Sequence, residues 1–408
     1  MTRCRLCLLC LGLLWPLLTH AGVRLEYRAD LARQQLDEQS MFVVPEPYRE
    51  LATDTQQYEL LLKYTRDKLR MVIAADARGS DQETTLPVQT RVDEMVLDFA
   101  AGGYEWSVGK KIVSWGVGYG FRPLDIIQQE SRLQWQALSA EGRPVLSMER
   151  FGDDDADSWL WFRDSRVTPL STQYRNALAY QHYALQNSGD LYVVAMLDEY
   201  GSYKLGGGFS QVVNNNIEWH GSLLYLSDYE KFIRTEGAAL IASSDPFQNG
   251  RYSQGTQLLL GASRHYASGF SVMLEGWYDP AAYSINEWGA LLTLSAQQLA
   301  LLGGATPEAA IYGNLNWNSR AFQATSLMQQ NLLLRVSYTG ERWEPALFLL
   351  HAPEDGGYIA NLSMVAEVGD STRLYLAWQQ FGGQAGSVYA QMPMQQMLSL
   401  GFSLAGLW

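Results

Sequence analysis

The chain has 408 residues and a formal charge of −13, with 43 acidic side chains against 30 basic ones and no cluster of lysine or arginine. Phosphate recognition needs concentrated basic residues, so nucleic acid is excluded as a partner. Cys4, Cys7 and Cys10 are the only cysteines and stand within the first ten residues, which excludes a disulfide framework or a cysteine-ligated zinc anywhere downstream.

In chain order, Arg3 and Arg5 precede an apolar run over residues 6–18, and Thr19-His20-Ala21 closes it with small residues at the two positions that a signal peptidase inspects. A basic start, a short greasy middle and a small-residue exit predict a secretory signal peptide over residues 1–21, cut after Ala21. Pro16 interrupts the run, which is shorter than the roughly 20 residues a helix needs to cross a bilayer, so a membrane anchor is disfavoured. All three cysteines would leave with the signal, as suits an exported chain crossing an oxidising periplasm. None stands at the cut, so a cysteine-linked lipid anchor is excluded.

Residues 22–408 contain no linker tract and read as one domain. The closest approach to an apolar helical span, residues 288–303, is broken by Gln297 and Gln298. The chain is 47% hydrophobic, yet its mean hydropathy is slightly polar. Alternation reconciles these facts, because each greasy residue has a polar neighbour facing the other way. Segments of roughly 9 to 12 alternating residues recur, the length of a tilted membrane strand. They begin near Tyr58, Val92, Tyr104, Val145, Ser158, Asn176, Ile217, Gln257 and Phe270, and again over residues 191–197, 331–339 and 373–379. Residues 311–318 alternate most cleanly, with Ile311, Gly313, Leu315 and Trp317 opposing Tyr312, Asn314, Asn316 and Asn318. Ser188-Gly189, Gly340-Glu341 and Gly369-Asp370 are compact hairpin candidates. The last two and a turn near Ala267-Ser268-Gly269 are expected on the periplasmic side, with longer connections over 243–251, 351–357 and 382–395 on the other. The 23 tyrosines and 13 tryptophans suit girdles at a membrane–water boundary.

One stretch does not read as a strand. Residues 110–132 start as one and then break at Trp115-Gly116-Val117-Gly118-Tyr119-Gly120, where alternate glycines permit tight bends. Pro123 ends any ladder, and Arg122, Asp125, Glu130 and Arg132 bring charges of both signs. Residues 116–142 are too long for a hairpin and are expected to form a functional constriction or plug loop. Burying Trp115 and Phe121 to brace the wall is a compatible role.

The last twelve residues, MLSLGFSLAGLW, form a period-two strand. Leu398, Leu400, Phe402, Leu404 and Gly406 occupy one face, and Met397, Ser399, Gly401, Ser403, Ala405 and Leu407 the other. A closed barrel can use such an ending, since its last strand pairs with its first and removes the sheet edges.

This ending resembles the targeting strand of Gram-negative outer-membrane barrels, which typically finishes on Phe or Trp. The run Gly109-Lys110, a strand, Trp115-Gly116, then Phe121-x-Pro123-Leu124-Asp125 resembles a pattern in proteobacterial outer-membrane barrel families, including alginate-export-like channels. The resemblance implies a porin-like barrel with an inward or periplasmic constriction loop.

Catalytic and metal-binding candidates are few. His220 lies beside Glu218 and Ser222 on one strand face, the best catalytic constellation available, but a polar lumen stripe is much the better account of it. His265 and Ser268 would face opposite sides of a strand. Asp153-Asp154-Asp155-x-Asp157 could offer oxygens to calcium but lacks the glycine and distal glutamate of a calcium hand. The expectation is no enzyme, no metal and no cofactor.

The sequence therefore predicts an all-β transmembrane antiparallel barrel of about 18 to 20 strands (range about 16–20) in the outer membrane of a Gram-negative cell. It would be a channel that passes small hydrophilic or charged solutes, or exports a polymer, by diffusion. Lys111, Arg122, Asp125, Glu130 and Arg132 are expected to line the constriction. Trp115, Gly116, Gly118, Phe121 and Pro123 would shape the loop, and Phe402, Leu404 and Trp408 would form the assembly signal. A non-conducting scaffold or assembly partner is the alternative, and a barrel-embedded hydrolase a third. Outer-membrane lipids and the barrel-assembly machinery are the expected partners, the solute is open, and the barrel could be monomeric or oligomeric.

Overall fold

The computed structural model describes residues 22–407 except 84, 129–138, 168–171, 187–188 and 215. Eighteen strands follow one another. The first six are β1 (Gly22–Leu36), β2 (Asp54–Arg66), β3 (Leu69–Ser80), β4 (Val88–Ala101), β5 (Tyr104–Lys111) and β6 (Arg143–Phe151). The next are β7 (Asp155–Val167), β8 (Thr172–Gln186), β9 (Gly189–Asp198), β10 (Tyr203–Val213), β11 (Ile217–Arg234) and β12 (Phe247–His265). The last are β13 (Phe270–Tyr278), β14 (Gln330–Tyr338), β15 (Trp343–Ala352), β16 (Gly357–Val368), β17 (Thr372–Gly382) and β18 (Met394–Leu407). Each pairs antiparallel with its sequence neighbours, and β1 also pairs with β18 from Arg24↔Leu407 to Leu36↔Met394, which closes the sheet into a barrel without edges.

Because all neighbours are antiparallel, the turns after even strands share a rim with both ends of the described chain. Residues 67–68, 102–103, 152–154, 266–269, 339–342 and 369–371 are among the short turns of this terminal rim, including the three turns assigned there from sequence. The opposite, loop rim carries residues 37–53, 112–142, 235–246, 279–329 and 383–393. The expected connection over 243–251 is displaced, since β12 already begins at Phe247.

The faces follow the alternation. Leu398, Leu400 and Leu404 are 53%, 57% and 43% exposed on the outside, while Ser399 between them is buried. Leu178, Leu197, Leu205, Leu223, Leu260, Leu274 and Leu362 continue this outward apolar surface around the wall. Soluble monomers rarely expose an apolar patch of more than a few hundred Å², so a belt around the whole wall calls for an apolar surrounding. Near the terminal rim aromatics pack edge-on or tilted: Tyr104, Trp159 and Tyr180 with centroids 6.4 and 5.6 Å apart, and Phe270, Tyr338 and Trp343 at 4.9 and 5.4 Å.

One predicted strand is not a strand. Residues 311–318 lie in α2 (Glu308–Ser319), and the apolar run over 288–303 begins in α1 (Ile285–Leu299). Both helices belong to the 279–329 insertion between β13 and β14. Ile311 and Leu315 are four apart, an even number that suits period two as well as one helical turn. The asparagines decide it, because Ile311, Asn314, Leu315 and Asn318 are all buried on one helical face. Asn314 Nδ2 donates to the carbonyl oxygens of Ala310 (2.9 Å) and Ala242 (3.0 Å), and its Oδ1 accepts from the Ala242 amide at 3.0 Å. Asn318 Nδ2 donates to Ser295 Oγ and Gln298 Oε1 on α1 at 2.9 and 2.8 Å. A local signal was present: Ser284 caps α1 and Glu287 reaches back to its amide at 2.7 Å, a Ser-x-x-Glu capping box. No helix among the described residues is long and apolar enough to cross a membrane, as expected.

Candidate functional site: a lumen divided by an inward segment

The connection after β5 turns into the barrel. Residues 121–128 are buried apart from Arg122, which is half-buried. The segment is first folded on itself. The Asp125 carboxylate accepts the backbone N–H of Trp115 (2.7 Å) and Gly116 (2.6 Å) and the Ser114 hydroxyl (3.1 Å). Arg122 pairs with Asp125 at 3.1 Å and donates to the Gly116 carbonyl at 2.5 and 3.2 Å. A buried carboxylate is tolerated when its lone pairs are filled in this way.

The folded segment is then fixed to the far wall. Glu275 on β13 is fully buried and accepts the N–H of Tyr119 and of Gly120, both at 2.7 Å, with His220 Nε2 of β11 at 2.8 Å. Phe121 stacks on Trp277 with centroids 5.9 Å apart and planes 16° from parallel. Gly118 has φ +100°, and a Cβ there would sit 2.3 Å from the Leu259 side chain. Leu124 fits over Gly206 and Gly208 of β10, where Cβ atoms would come within 3.0 and 2.8 Å of its methyls. Glycine inside a strand marks such a close approach, so the Gly206-Gly207-Gly208 run was the sequence signal for this seat.

Apolar clusters follow from this packing. Val113, Leu124, Ile126 and Ile127 join inward-facing Val145, Phe162, Ala179, Val194, Met196 and Leu224 of β6 to β11. Phe121 joins Leu259, Trp277, Leu333 and, from α1, Trp288 and Leu291. About half of the lumen is therefore a packed core rather than a pore wall.

The other half is polar. The segment returns at Ser139, whose hydroxyl lies 2.7 Å from a Glu59 carboxylate oxygen and 2.5 Å from one of Asp93 and can donate to either. Arg91 of β4 bridges Asp93 (2.6 Å), Glu59 (3.1 Å) and Asp76, so three buried carboxylates share one guanidinium. Below this cluster a cavity of about 580 Å³ opens toward the terminal rim between β1, β2, β17 and β18. Arg24, Glu26, Arg28, Glu59, Arg373 and Tyr375 face it. The charges pair along the wall: Arg24 with Glu26 at 2.9 Å, Lys63 with Glu26 at 2.7 Å, Arg373 with Glu367 at 2.9 Å, and Arg28 with Asp30 at 2.6 Å. A smaller cavity of about 140 Å³ lies between Tyr119 and the β14–β16 wall, where Arg335 stands 5.0 Å over the Tyr119 ring.

The expected constriction residues thus separate. Lys111 closes β5 and faces inward, its Nζ 3.2 Å from Ser107 Oγ and 3.7 Å from Glu149. Arg122 and Asp125 bind the segment's own backbone. Glu130 and Arg132 lie outside the described residues, as does Trp408. Trp115, Gly116, Gly118, Phe121 and Pro123 all belong to the inward segment, which leaves the loop rim rather than the terminal rim. Phe402 and Leu404 face outward, Phe402 with its ring 5.8 Å from Tyr27. The His220–Glu218–Ser222 stripe does lie together, with His220 Nδ1 3.9 Å from Glu218, but its closer partner is Glu275. Asp157 of the acidic run is bonded by Tyr180 (2.7 Å), His182 (2.9 Å) and Arg150 (2.5 Å) on the outer wall.

The architecture has structural counterparts. The Pseudomonas aeruginosa proteins OccK11 (OpdR) and OccK3 (OpdO) superpose with TM-scores of 0.54 and 0.53 at 8% and 9% identity. The matches cover 95% and 97% of this chain and 96% and 98% of theirs. Wzi of Escherichia coli, an outer-membrane carbohydrate-binding β-barrel involved in group 1 capsule assembly, superposes with a TM-score of 0.52 at 10% identity, over 98% of this chain and 87% of its own. The chain matches no protein-family model and no curated protein sequence. The fold is an 18-stranded closed antiparallel β-barrel that resembles outer-membrane porin-like folds.

Proposed function

We propose that the protein is an outer-membrane channel for small polar or charged solutes, with its route along the polar half of the lumen. The observation that carries this is the division of the interior. The inward segment covers the apolar walls of β6 to β13 and leaves charges of both signs open to the 580 Å³ cavity. Ionised side chains facing a wet lumen remain hydrated, whereas the outward belt suits lipid. The terminal rim would be periplasmic, and lipids and the barrel-assembly machinery would be the partners. Transport would need neither cofactor nor catalysis. In a planar bilayer the purified barrel should show small unitary conductance. Arg28→Ala combined with Arg373→Ala should shift selectivity toward cations, because Glu26, Glu59 and Glu367 remain.

A second reading, a non-conducting envelope barrel, is favoured by one feature. The inward segment crosses from β5 to pack on β10 through Leu124 and on β13 through Phe121, and the 279–329 insertion packs onto the same core. Absence of unitary conductance from protein shown to be folded by heat-modifiable gel mobility would select it.

A further inference from the structure

A larger cavity lies outside the lumen. It occupies about 1190 Å³ at the loop rim, on the outer wall where β1, β18 and β17 meet. Register explains its chemistry. Leu31, Leu400 and Leu376 form one outward row across the three strands; the next is Arg33, Leu398 and Trp378; the next is Gln35, Gln396 and Gln380. Within two rows the wall passes from leucine to glutamine, the change expected where a strand leaves hydrocarbon for the headgroup layer. Residues 37–53 overhang this level and are held rigidly. Ser40 Oγ donates to the Gln391 carbonyl at 2.8 Å, Phe42 packs edge-on against Phe322 at 5.1 Å, and Tyr48 stacks on Tyr312 at 5.0 Å.

We propose that this groove is a saccharide-binding site. Carboxamides present paired donors and acceptors that match neighbouring hydroxyls, and an indole offers its face to the C–H side of a sugar ring. Both are present and oriented: Trp378 Nε1 donates to Gln396 Oε1 at 3.1 Å, and Gln396 Nε2 donates in turn to Gln35 Oε1. Gln395 lies beside them, and charges of both signs rim the groove, Arg33 at 3.7 Å from Asp54 and Arg49 paired with Glu46 at 2.5 Å, with Asp37 and Glu38 also in its lining. The fixed overhang means that the ligand meets a formed cleft and does not have to order one. The ligand class is an oligosaccharide recognised through its hydroxyls and ring face, either the headgroup of an outer-leaflet glycolipid or a free surface polysaccharide. The site shares with the channel reading only the placement in the outer membrane, and its test does not depend on conduction.

The test is calorimetric titration of the detergent-solubilised barrel with rough-type lipopolysaccharide and, separately, with its deacylated core oligosaccharide. The oligosaccharide is expected to bind. Trp378→Ala, and Gln35→Ala with Gln396→Ala, should each weaken it by about tenfold or more. Trp219→Ala, on the outer wall near the terminal rim, should leave binding unchanged. Tighter binding of the intact lipopolysaccharide, still dependent on Trp378, identifies the glycolipid as the source; equal affinity identifies free polysaccharide. Circular dichroism and heat-modifiable mobility confirm that each variant is folded. The proposal is overturned if folded wild-type protein binds neither probe, or if binding survives the Trp378 and glutamine substitutions undiminished.

Discussion

Glu275→Ala should release the inward segment from the barrel wall. The wild-type carboxylate is fully buried and accepts two backbone amides, Tyr119 and Gly120, at 2.7 Å each. A hydrogen bond to a charged group contributes about 1.5–3 kcal/mol, so the pair contributes about 3–6 kcal/mol to docking. Released amides regain water and such terms are not strictly additive, so the lower end applies. About 3 kcal/mol is roughly a hundredfold change in the docked-to-released ratio. Glu275→Gln keeps one carbonyl acceptor but turns an NH₂ toward the second amide, so about half of that effect is expected. The assay is limited proteolysis of folded protein, scored for cleavage within residues 112–142, beside single-channel conductance. Cleavage should rise in the order wild type, Gln, Ala, with conductance rising in parallel. If Glu275→Ala assembles normally and neither rate nor conductance changes, the clamp does not hold the segment and the division of the lumen is wrong.

Three further expectations test the faces, the segment's bend and the helical insertion. Leu400→Arg should destabilise the barrel by about 2–4 kcal/mol in vesicle unfolding if it sits near the bilayer midplane, while Ser399→Arg, which faces the lumen, should cost much less; equal effects would mean that the faces are inverted. Gly118→Val should increase cleavage of residues 112–142 without unfolding the barrel, because φ is +100° and the new Cβ meets Leu259 at 2.3 Å; an unchanged digest would remove the bend from the account. At Glu287, burial raises the pKa, but hydrogen bonds from Lys231 (2.7 Å) and Ser284 outweigh it and hold the carboxylate below its ordinary value. A depressed folded-state pKa stabilises above the unfolded value of about 4.3 and is lost as pH falls through the folded one. Protection of residues 279–329 from acid-active protease should therefore fall on acidification in wild type. Glu287→Gln should be less protected and flat over that range, and an acid-dependent drop in the variant matching that of wild type would contradict the assignment.

Much of this protein was decided by its sequence alone. Period-two alternation is local, and it placed strands at Tyr104, Ile217 and Phe270 to the residue and assigned Leu398, Leu400, Leu404 and Ser399 to their faces. The alternate glycines and Pro123 likewise marked the 116–142 connection as something other than a hairpin. Residues 311–318 failed because a four-residue spacing satisfies strand and helix alike, and only contacts to Ala242, Ser295 and Gln298 select the helix. The site depended still more on distant pairing. Arg122 and Asp125 look like pore charges in sequence, but in the fold they spend their hydrogen bonds on Trp115 and Gly116. The residue that seats the segment, Glu275, is more than 150 positions from the amides it holds. Its pairing is set by barrel closure and strand register, which bring β13 across from β5, and no local pattern encodes that meeting.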